Sequence, residues 1–185
     1  MALSVCVFCS SSDAVDARYV RLAEEVGTAV AARGWTLVSG GEHVSMMGAV
    51  AAAARAAGGQ TVGIVSDSLL HRADRDSDRL VVARGMSARK QRMCDEADAL
   101  LALPGGLGTC DEIFTAWTER MVGAHAKPLV LLDPDNHFGG LLDWVADARA
   151  RGFVTERSLA AVRHVRTVAD ALDTCAGRLP AATTR

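Results

Sequence analysis

The stretch ALLALPGGLGTCDEIF, residues 99–114, decides the fold. Its first five residues, Ala99–Leu103, are all apolar, which is typical of a strand buried on both faces of a sheet. Pro104 ends that run, and from Thr109 to Val122 the apolar residues recur at helical spacing. A strand, a glycine-rich loop and a helix in this order form half of a βαβ unit, which indicates a parallel sheet.

Strand and helix patterns alternate along the rest of the chain. Further strands are predicted at Leu3–Phe8, Trp35–Val38, Thr61–Val65 and Leu129–Leu132. Further helices are predicted over residues 15–30, 46–54, 87–97, 138–151 and 167–176. Residues 69–85 are predicted to be irregular, 162–165 to be a short apolar segment, and 180–185 to be a frayed tail. We therefore predict one α/β domain over residues 1–179, a Rossmann-like doubly wound parallel sheet with helices on both faces.

Composition excludes several classes of protein. The chain has 185 residues, half of them apolar, and a formal charge of −2, which favours neither nucleic acid nor a membrane surface as partner. No apolar stretch approaches the roughly 20 residues that span a bilayer, and no signal-peptide pattern is visible. The five cysteines are irregularly spaced, which predicts reduced thiols and a cytoplasmic location.

The loop Pro104–Thr109 has the chemistry of a phosphate site. Three glycines in four positions allow the backbone to approach a ligand closely, and the N–H groups at a helix start attract anions. Thr109 adds a hydroxyl. The loop lacks the Lys-Ser/Thr of a Walker motif and the GxGxxG spacing of dinucleotide-binding folds. The alternative is a tight turn that only packs strand against helix.

Two charged positions near this loop each allow two interpretations. Thr109-x-x-Glu112 fits a capping box, so Glu112 is either a helix cap or a catalytic carboxylate. Arg89 and Lys90, on the preceding predicted helix, belong either to a solvated basic turn or to the ligand end of the sheet. Residues 10–12 and 40–41 follow two other strands, where they either contact the ligand or form plain turns.

Histidines and large apolar residues give weaker signals. The five histidines lack metal-ligand spacing, so no metal site is predicted; His43 stands alone on a ligand-side loop. Trp117, Met46 and Met47 either line a base pocket or, as their helical spacing favours, belong to the core.

The segments Gly85-Met86-Ser87-Ala88-Arg89-Lys90, Ala97-Asp98-Ala99 and 103–112 resemble the LONELY GUY family of cytokinin-activating phosphoribohydrolases. That family is marked by an Arg-Lys pair upstream of a Pro-Gly-Gly-x-Gly-Thr-x-x-Glu motif, and the resemblance runs from about Val5 to Val154. It implies a Rossmann-like fold and a homodimer with the site near its interface. It also implies hydrolysis of a nucleoside 5′-monophosphate to the free base and ribose 5-phosphate, with no cofactor.

The resemblance also implies roles for single residues. Arg89 and Glu112 would be the catalytic pair, with Glu112 ionised at a helix N-terminus to stabilise an oxocarbenium-like sugar. The phosphate and substrate contacts would be Ser11, Gly41, Met86, Lys90, Gly105, Gly106, Leu107, Gly108 and Thr109. The chain departs from the family at Ser10 and Glu42, where the family has glycines. A carboxylate at position 42 would repel an anionic ligand unless it faces the sugar or the base.

Three other functions compete with this one. The first is nucleotide binding without catalysis, and the second is cleavage of a nucleotide with a pyrimidine or specialised base. The third is a pyridoxal-phosphate decarboxylase, whose Schiff base requires a lysine. The chain has only Lys90 and Lys127, and Lys127 is expected at the end of the sheet opposite the ligand.

Overall fold

A computed structural model describes residues 2–178, so the predicted tail at 180–185 lies outside the described residues. The strands are β1 (Ser4–Phe8), β2 (Thr36–Ser39), β3 (Thr61–Ser66), β4 (Arg79–Ala83), β5 (Ala99–Ala102), β6 (Leu129–Leu132) and β7 (Val162–Val165). The α-helices are α1 (Ala17–Ala32), α2 (Ser45–Ala56), α3 (Gly85–Asp95), α4 (Leu107–Met121), α5 (Gly139–Ala150), α6 (Glu156–Leu159) and α7 (Val168–Cys175). A 3₁₀ helix spans Asp67–Arg72.

The seven strands form one parallel sheet in the order β4-β3-β2-β1-β5-β6-β7. Strands β2, β3 and β4 follow β1 in order toward one edge of the sheet. The chain then crosses back, and β5 pairs with the other side of β1. The strand order therefore reverses between β1 and β5. Ligands of doubly wound sheets bind in the crevice that such a reversal opens at the carboxyl ends of the strands. The predicted fold class is confirmed.

Helices cover both faces of the sheet, because successive strand residues point to opposite sides. Val5 and Val7 of β1 pack in the layer built with α1, α2 and α7. Cys6 and Phe8 of the same strand pack in the layer built with α3, α4 and α5. This double burial explains why the central strands are continuous apolar runs. None of the described helices is long and apolar enough to cross a membrane.

The sequence prediction fails mainly at the two edges of the sheet. Residues 69–85 are not irregular throughout, since they include the end of the 3₁₀ helix and strand β4. Strand β4 pairs only with β3 and leaves Arg79 and Val82 exposed. The opposite edge strand, β7, likewise exposes Arg163 and His164. Edge strands carry polar positions, so their hydrophobic pattern is weaker than that of central strands.

Candidate active site

A cleft of about 410 Å³ opens at the carboxyl ends of β1, β2 and β5. Among the predicted site residues, those lining it are Ser11, Met86, Arg89, Gly106, Leu107, Gly108, Thr109 and Glu112. Three strands and three helices therefore converge where the strand order reverses. Gly41, Gly105 and Lys90 do not line this cleft and are described below.

The start of α4 leaves backbone donors directed at the cleft. Gly106 is the N-cap, and the first helical hydrogen bond runs from Cys110 N–H to the Gly106 carbonyl at 3.0 Å. The N–H groups of the first turn therefore have no intrahelical acceptor, and the helix dipole makes this end positive. A Cβ added to Gly106 or Gly108 would meet no atom within 4 Å. The loop thus offers open space and donors suited to a phosphate.

Gly105 lies behind this loop and leaves room for the Thr109 side chain. A Cβ at Gly105 would lie 2.1 Å from Thr109 Oγ1, so the glycine is required for the buried Thr109 side chain to pack against it. The imidazole Nε2 of His137 lies 2.9 Å from the Gly105 carbonyl oxygen. The capping box is wrong, because Thr109 is the third residue of α4 and Gly106 occupies the N-cap position.

Arg89 is fixed in the floor of the cleft by four hydrogen bonds to oxygen atoms. Its Nε donates to the Ile64 carbonyl at 3.0 Å and to the Gly40 carbonyl at 3.2 Å, and Nη2 donates to the same Gly40 oxygen at 3.0 Å. Nη1 donates to Glu112 Oε1 at 3.1 Å. Arg89 is only 2% exposed, so it does not belong to a solvated basic turn.

Gly40 makes this position of Arg89 possible. A Cβ at Gly40 would lie 1.8 Å from Arg89 Nη2 and 2.8 Å from Met47 Sδ. Only glycine lets the guanidinium lie directly over the backbone that follows β2. The sequence left the Gly40-Gly41 pair open as a plain turn, but the structure shows that Gly40 accommodates the buried arginine.

Glu112 faces the cleft from the second turn of α4 and is 7% exposed. Burial raises the pKa of Glu112 to about 7, against the lowering effect of the positive charge and hydrogen bond of Arg89. The expectation that the helix dipole keeps it ionised is wrong, because Glu112 is the sixth residue of α4 and the dipole acts mainly within the first turn. A carboxyl with this pKa exchanges protons readily near neutral pH.

Two predicted contact residues lie behind the cleft wall. Lys90 Nζ lies 2.8 Å from both carboxylate oxygens of Asp111 and 2.9 Å from Thr115 Oγ1, between α3 and α4. Gly41 has a φ of +72°, and a Cβ there would lie 2.8 Å from Ile64 N. Gly41 therefore lets the loop after β2 pass close to β3.

Arg72 is a cleft residue that the sequence analysis missed. Its Nε lies 3.1 Å from Glu42 Oε2, and its Nη2 donates to the Ser11 carbonyl at 2.9 Å. The 3₁₀ helix brings it back to the sheet, where Glu42 and Ala73 form an isolated antiparallel bridge. The positive charge of Arg72 offsets the repulsion expected of Glu42. No local sequence pattern reveals this pairing, because Glu42 and Arg72 are 30 positions apart and Arg72 lies in a turn that the sequence does not predict.

The structure resolves the remaining ambiguous positions. Met47 lines the cleft, with its sulfur 4.0 Å from Arg89 Nη2, whereas Met46 is fully buried in the core. Trp117 is also a core residue and donates its indole N–H to the Ser158 carbonyl at 2.8 Å. His43 Nδ1 lies 2.7 Å from the Arg72 carbonyl oxygen, outside the cleft lining.

One side-chain cluster on the α3–α4 side has metal-binding atom types. Cys94, Glu119 and His125 place their ligand atoms within 4.8 Å of one another. His125 Nε2, however, lies 3.1 Å from the Ala116 carbonyl oxygen, and Nδ1 accepts the Lys127 N–H at 3.3 Å. Both ring nitrogens are thus engaged, which leaves no lone pair for a metal.

Neither lysine of the chain reaches the cleft. Lys90 is held by Asp111 and Thr115, and Lys127 Nζ donates to the Cys94 carbonyl near the amino end of β6. A Schiff-base mechanism needs a lysine amine at the reacting centre. The arrangement therefore argues against a pyridoxal-phosphate decarboxylase.

Comparisons with known proteins identify relatives of this chain. A family model described as "Possible lysine decarboxylase" matches residues 47–175. A Mycobacterium tuberculosis protein named cytokinin riboside 5′-monophosphate phosphoribohydrolase is 49% identical over 94% of this chain and 93% of its own length. A protein of the same name from Mycobacterium marinum is 47% identical, with the same coverage of both chains.

A solved structure supports the fold alone. The molybdenum cofactor binding protein of Rippkaea orientalis superposes with a TM-score of 0.75 at 24% identity, covering 96% of this chain and 97% of that one.

Proposed function

The chain belongs to the LONELY GUY family of cytokinin riboside 5′-monophosphate phosphoribohydrolases, and we propose that its cleft hydrolyses the N-glycosidic bond of a purine nucleoside 5′-monophosphate. The products are the free base and ribose 5-phosphate. The observation that carries this proposal is the buried Arg89–Glu112 pair, joined at 3.1 Å, in one cleft with an anion-binding helix start.

The phosphate anchors the substrate at the start of α4. Free N–H groups beside Gly106 and Gly108 suit its oxygens, and neither glycine has a side chain to obstruct them. This contact is remote from the reacting bond, so its binding energy positions the sugar over Glu112. Lys90, which is turned toward Asp111, supports α4 from behind in this arrangement.

Glu112 acts at the sugar. As the C1′–N bond breaks, its electron pair leaves with the base and positive charge builds on the sugar ring. Ionised Glu112 stabilises that charge and accepts a proton from the water whose oxygen bonds to C1′. That proton then passes to the nitrogen of the departing base, so that the neutral base is released and the carboxylate is regenerated. Arg89 orients the carboxylate through Nη1, and its own position is fixed by the carbonyls of Gly40 and Ile64.

A homodimer with the site near its interface is part of the proposal. Leu107 and Met86 line the mouth of the cleft, yet they are 91% and 44% exposed. Apolar side chains so exposed beside a site favour coverage by a partner, and a second copy there would shield the cleft from water. Light scattering of the purified protein tests this proposal, because a homodimer has twice the mass of the single chain.

A cytoplasmic location is also proposed. All five cysteines are free thiols, four of them buried, which suits a reducing compartment.

The test is product analysis with a panel of substrates. Purified protein is incubated with AMP, N6-isopentenyladenosine 5′-monophosphate, CMP and the matching nucleosides, and released base is separated by chromatography. We expect base from the purine nucleotides, and rates at least ~10²-fold lower from the nucleosides because they lack the phosphate anchor.

Each other outcome has a distinct meaning. AMP that binds without release of adenine would indicate a nucleotide-binding protein. Preferred hydrolysis of CMP would indicate a pyrimidine enzyme. Equal rates on nucleotide and nucleoside would contradict the role given to the start of α4.

A further inference from the structure

Glu42 is a buried carboxylate with an unused hydrogen-bond acceptor. It is 4% exposed, and its Oε2 has no hydrogen-bond partner within residues 2–178. Arg72 Nε lies 3.1 Å from that oxygen, but the pair lacks hydrogen-bond geometry. Buried carboxylate oxygens are almost always hydrogen-bonded, so an exception calls for a ligand or another explanation.

The same carboxylate lines the cleft that holds Arg89 and Glu112. It follows β2, which pairs with β1, while the phosphate loop follows β5 on the other side of β1. Glu42 therefore faces the ligand from the side opposite the phosphate anchor. A nucleotide held at α4 with its C1′ near Glu112 extends toward this wall.

The chemistry of Glu42 restricts which part of a nucleotide it faces. A carboxylate accepts hydrogen bonds, and a phosphate dianion has none to donate. The donors of a nucleoside monophosphate are the ribose hydroxyls and the exocyclic amine of the base. The ribose is the part nearest to both the phosphate and the reacting C1′, and other doubly wound nucleotide-binding folds use an acidic residue to bind a ribose hydroxyl.

Arg72 holds this acceptor in place. Its guanidinium bridges Glu42 and the Ser11 carbonyl, and the backbone bridge between Glu42 and Ala73 fixes the two segments together. The positive charge of Arg72 beside Oε2 offsets the repulsion between Glu42 and an anionic ligand in the same cleft. Arg72 is thus a positioning residue for Glu42.

We propose that Glu42 accepts a hydrogen bond from a ribose hydroxyl of the substrate and makes the enzyme select ribonucleotides over deoxyribonucleotides. This inference rests on the proposed function, because it assumes that a nucleotide occupies the cleft. It gives a role to a residue at which the chain departs from the glycine of its family.

The experiment compares substrates that each lack one donor. Values of kcat/KM are measured for AMP, 2′-deoxy-AMP, 3′-deoxy-AMP and purine riboside 5′-monophosphate, which lacks the exocyclic amine. The proteins are the wild type, Glu42→Ala, the isosteric Glu42→Gln and the control Glu25→Gln, which changes an exposed carboxylate on α1. Thermal unfolding shows which variants are folded.

We expect the wild type to prefer AMP over at least one deoxynucleotide, and Glu42→Ala to reduce that ratio roughly 10- to 100-fold, as for a hydrogen bond to a charged group. Glu42→Gln keeps the size of the side chain but loses its charge, so it should reduce the ratio less. The ratio of AMP to purine riboside 5′-monophosphate should not change. Glu25→Gln should leave every ratio at the wild-type value.

Two results would overturn the inference. Unchanged deoxynucleotide ratios in folded Glu42 variants would make Glu42 structural only, and a change confined to purine riboside 5′-monophosphate would assign it to the base. If the wild type hydrolyses no nucleotide, calorimetric affinities for AMP and the deoxynucleotides replace kcat/KM. A ribose preference in binding that depends on Glu42 would then leave this inference standing while the proposed hydrolysis fails.

Discussion

Gly40→Ala should inactivate the enzyme without altering any side chain that takes part in the chemistry. The new Cβ would lie 1.8 Å from Arg89 Nη2, and the nearest contacts of real Cβ atoms are about 3.0 Å. The guanidinium must therefore retreat by roughly 1 Å or more, and a misplacement of that size at an active site costs on the order of 10²-fold in rate. The retreat also separates Arg89 from Glu112, and breaking a buried ion pair costs about 3–5 kcal/mol of stability.

The assay is kcat/KM for AMP together with the free energy of unfolding from denaturant titration. Gly140→Ala is the matched control, because Gly140 lies exposed in α5 and an added Cβ would meet nothing within 4 Å. The control should keep full activity and lose no stability, because Gly140 lies in the first turn of α5 and its added methyl group would be exposed. A Gly40→Ala protein with normal activity and stability would refute the view that this glycine exists to accommodate Arg89.

Three further predictions concern two charged groups, Glu112 and Lys90. The raised pKa of Glu112 predicts that kcat/KM rises with pH through about 7, as the carboxyl ionises; a rise centred near the phosphate pKa of about 6 would instead report the substrate. The folded carboxyl binds its proton more tightly than the unfolded chain does, so the stability of the wild type relative to Glu112→Gln should fall, by up to about 3 kcal/mol, from pH 4.5 to about 7. A pH-independent difference would contradict the burial argument. Lys90→Ala should change the free energy of unfolding by about 1 kcal/mol or less and kcat/KM by less than about tenfold, because Lys90 does not line the cleft and its ammonium pairs with the solvent-exposed carboxylate of Asp111. A ~10²-fold rise in KM with unchanged kcat would instead show that Lys90 is a phosphate ligand.

The sequence predicts the parts of the site that are local in the chain. Strand β5, the glycine loop and α4 are contiguous, and their pattern indicates both the parallel sheet and the anion-binding helix start. The phosphate contacts proposed for Gly106 and Gly108 could be predicted from this pattern, because a contact of that kind depends on the residues' own backbone.

The rest of the site depends on contacts between distant segments. Arg89 is buried because carbonyls after β2 and within β3 accept its hydrogen bonds, across separations of 49 and 25 residues. Arg72 reaches the cleft through a 3₁₀ helix that no periodicity marks. The pKa of Glu112 follows from burial, which the sequence does not specify residue by residue.

Hydrolysis of AMP by wild type and Glu112→Gln tests the central claim most directly. Adenine and ribose 5-phosphate are quantified over time, with Glu25→Gln as a control for loss of an exposed carboxylate. The account predicts equal amounts of the two products from the wild type and the control, and a rate at least ~10²-fold lower for folded Glu112→Gln. A folded Glu112→Gln protein that releases adenine at nearly the wild-type rate, or a wild type that releases none, would contradict it.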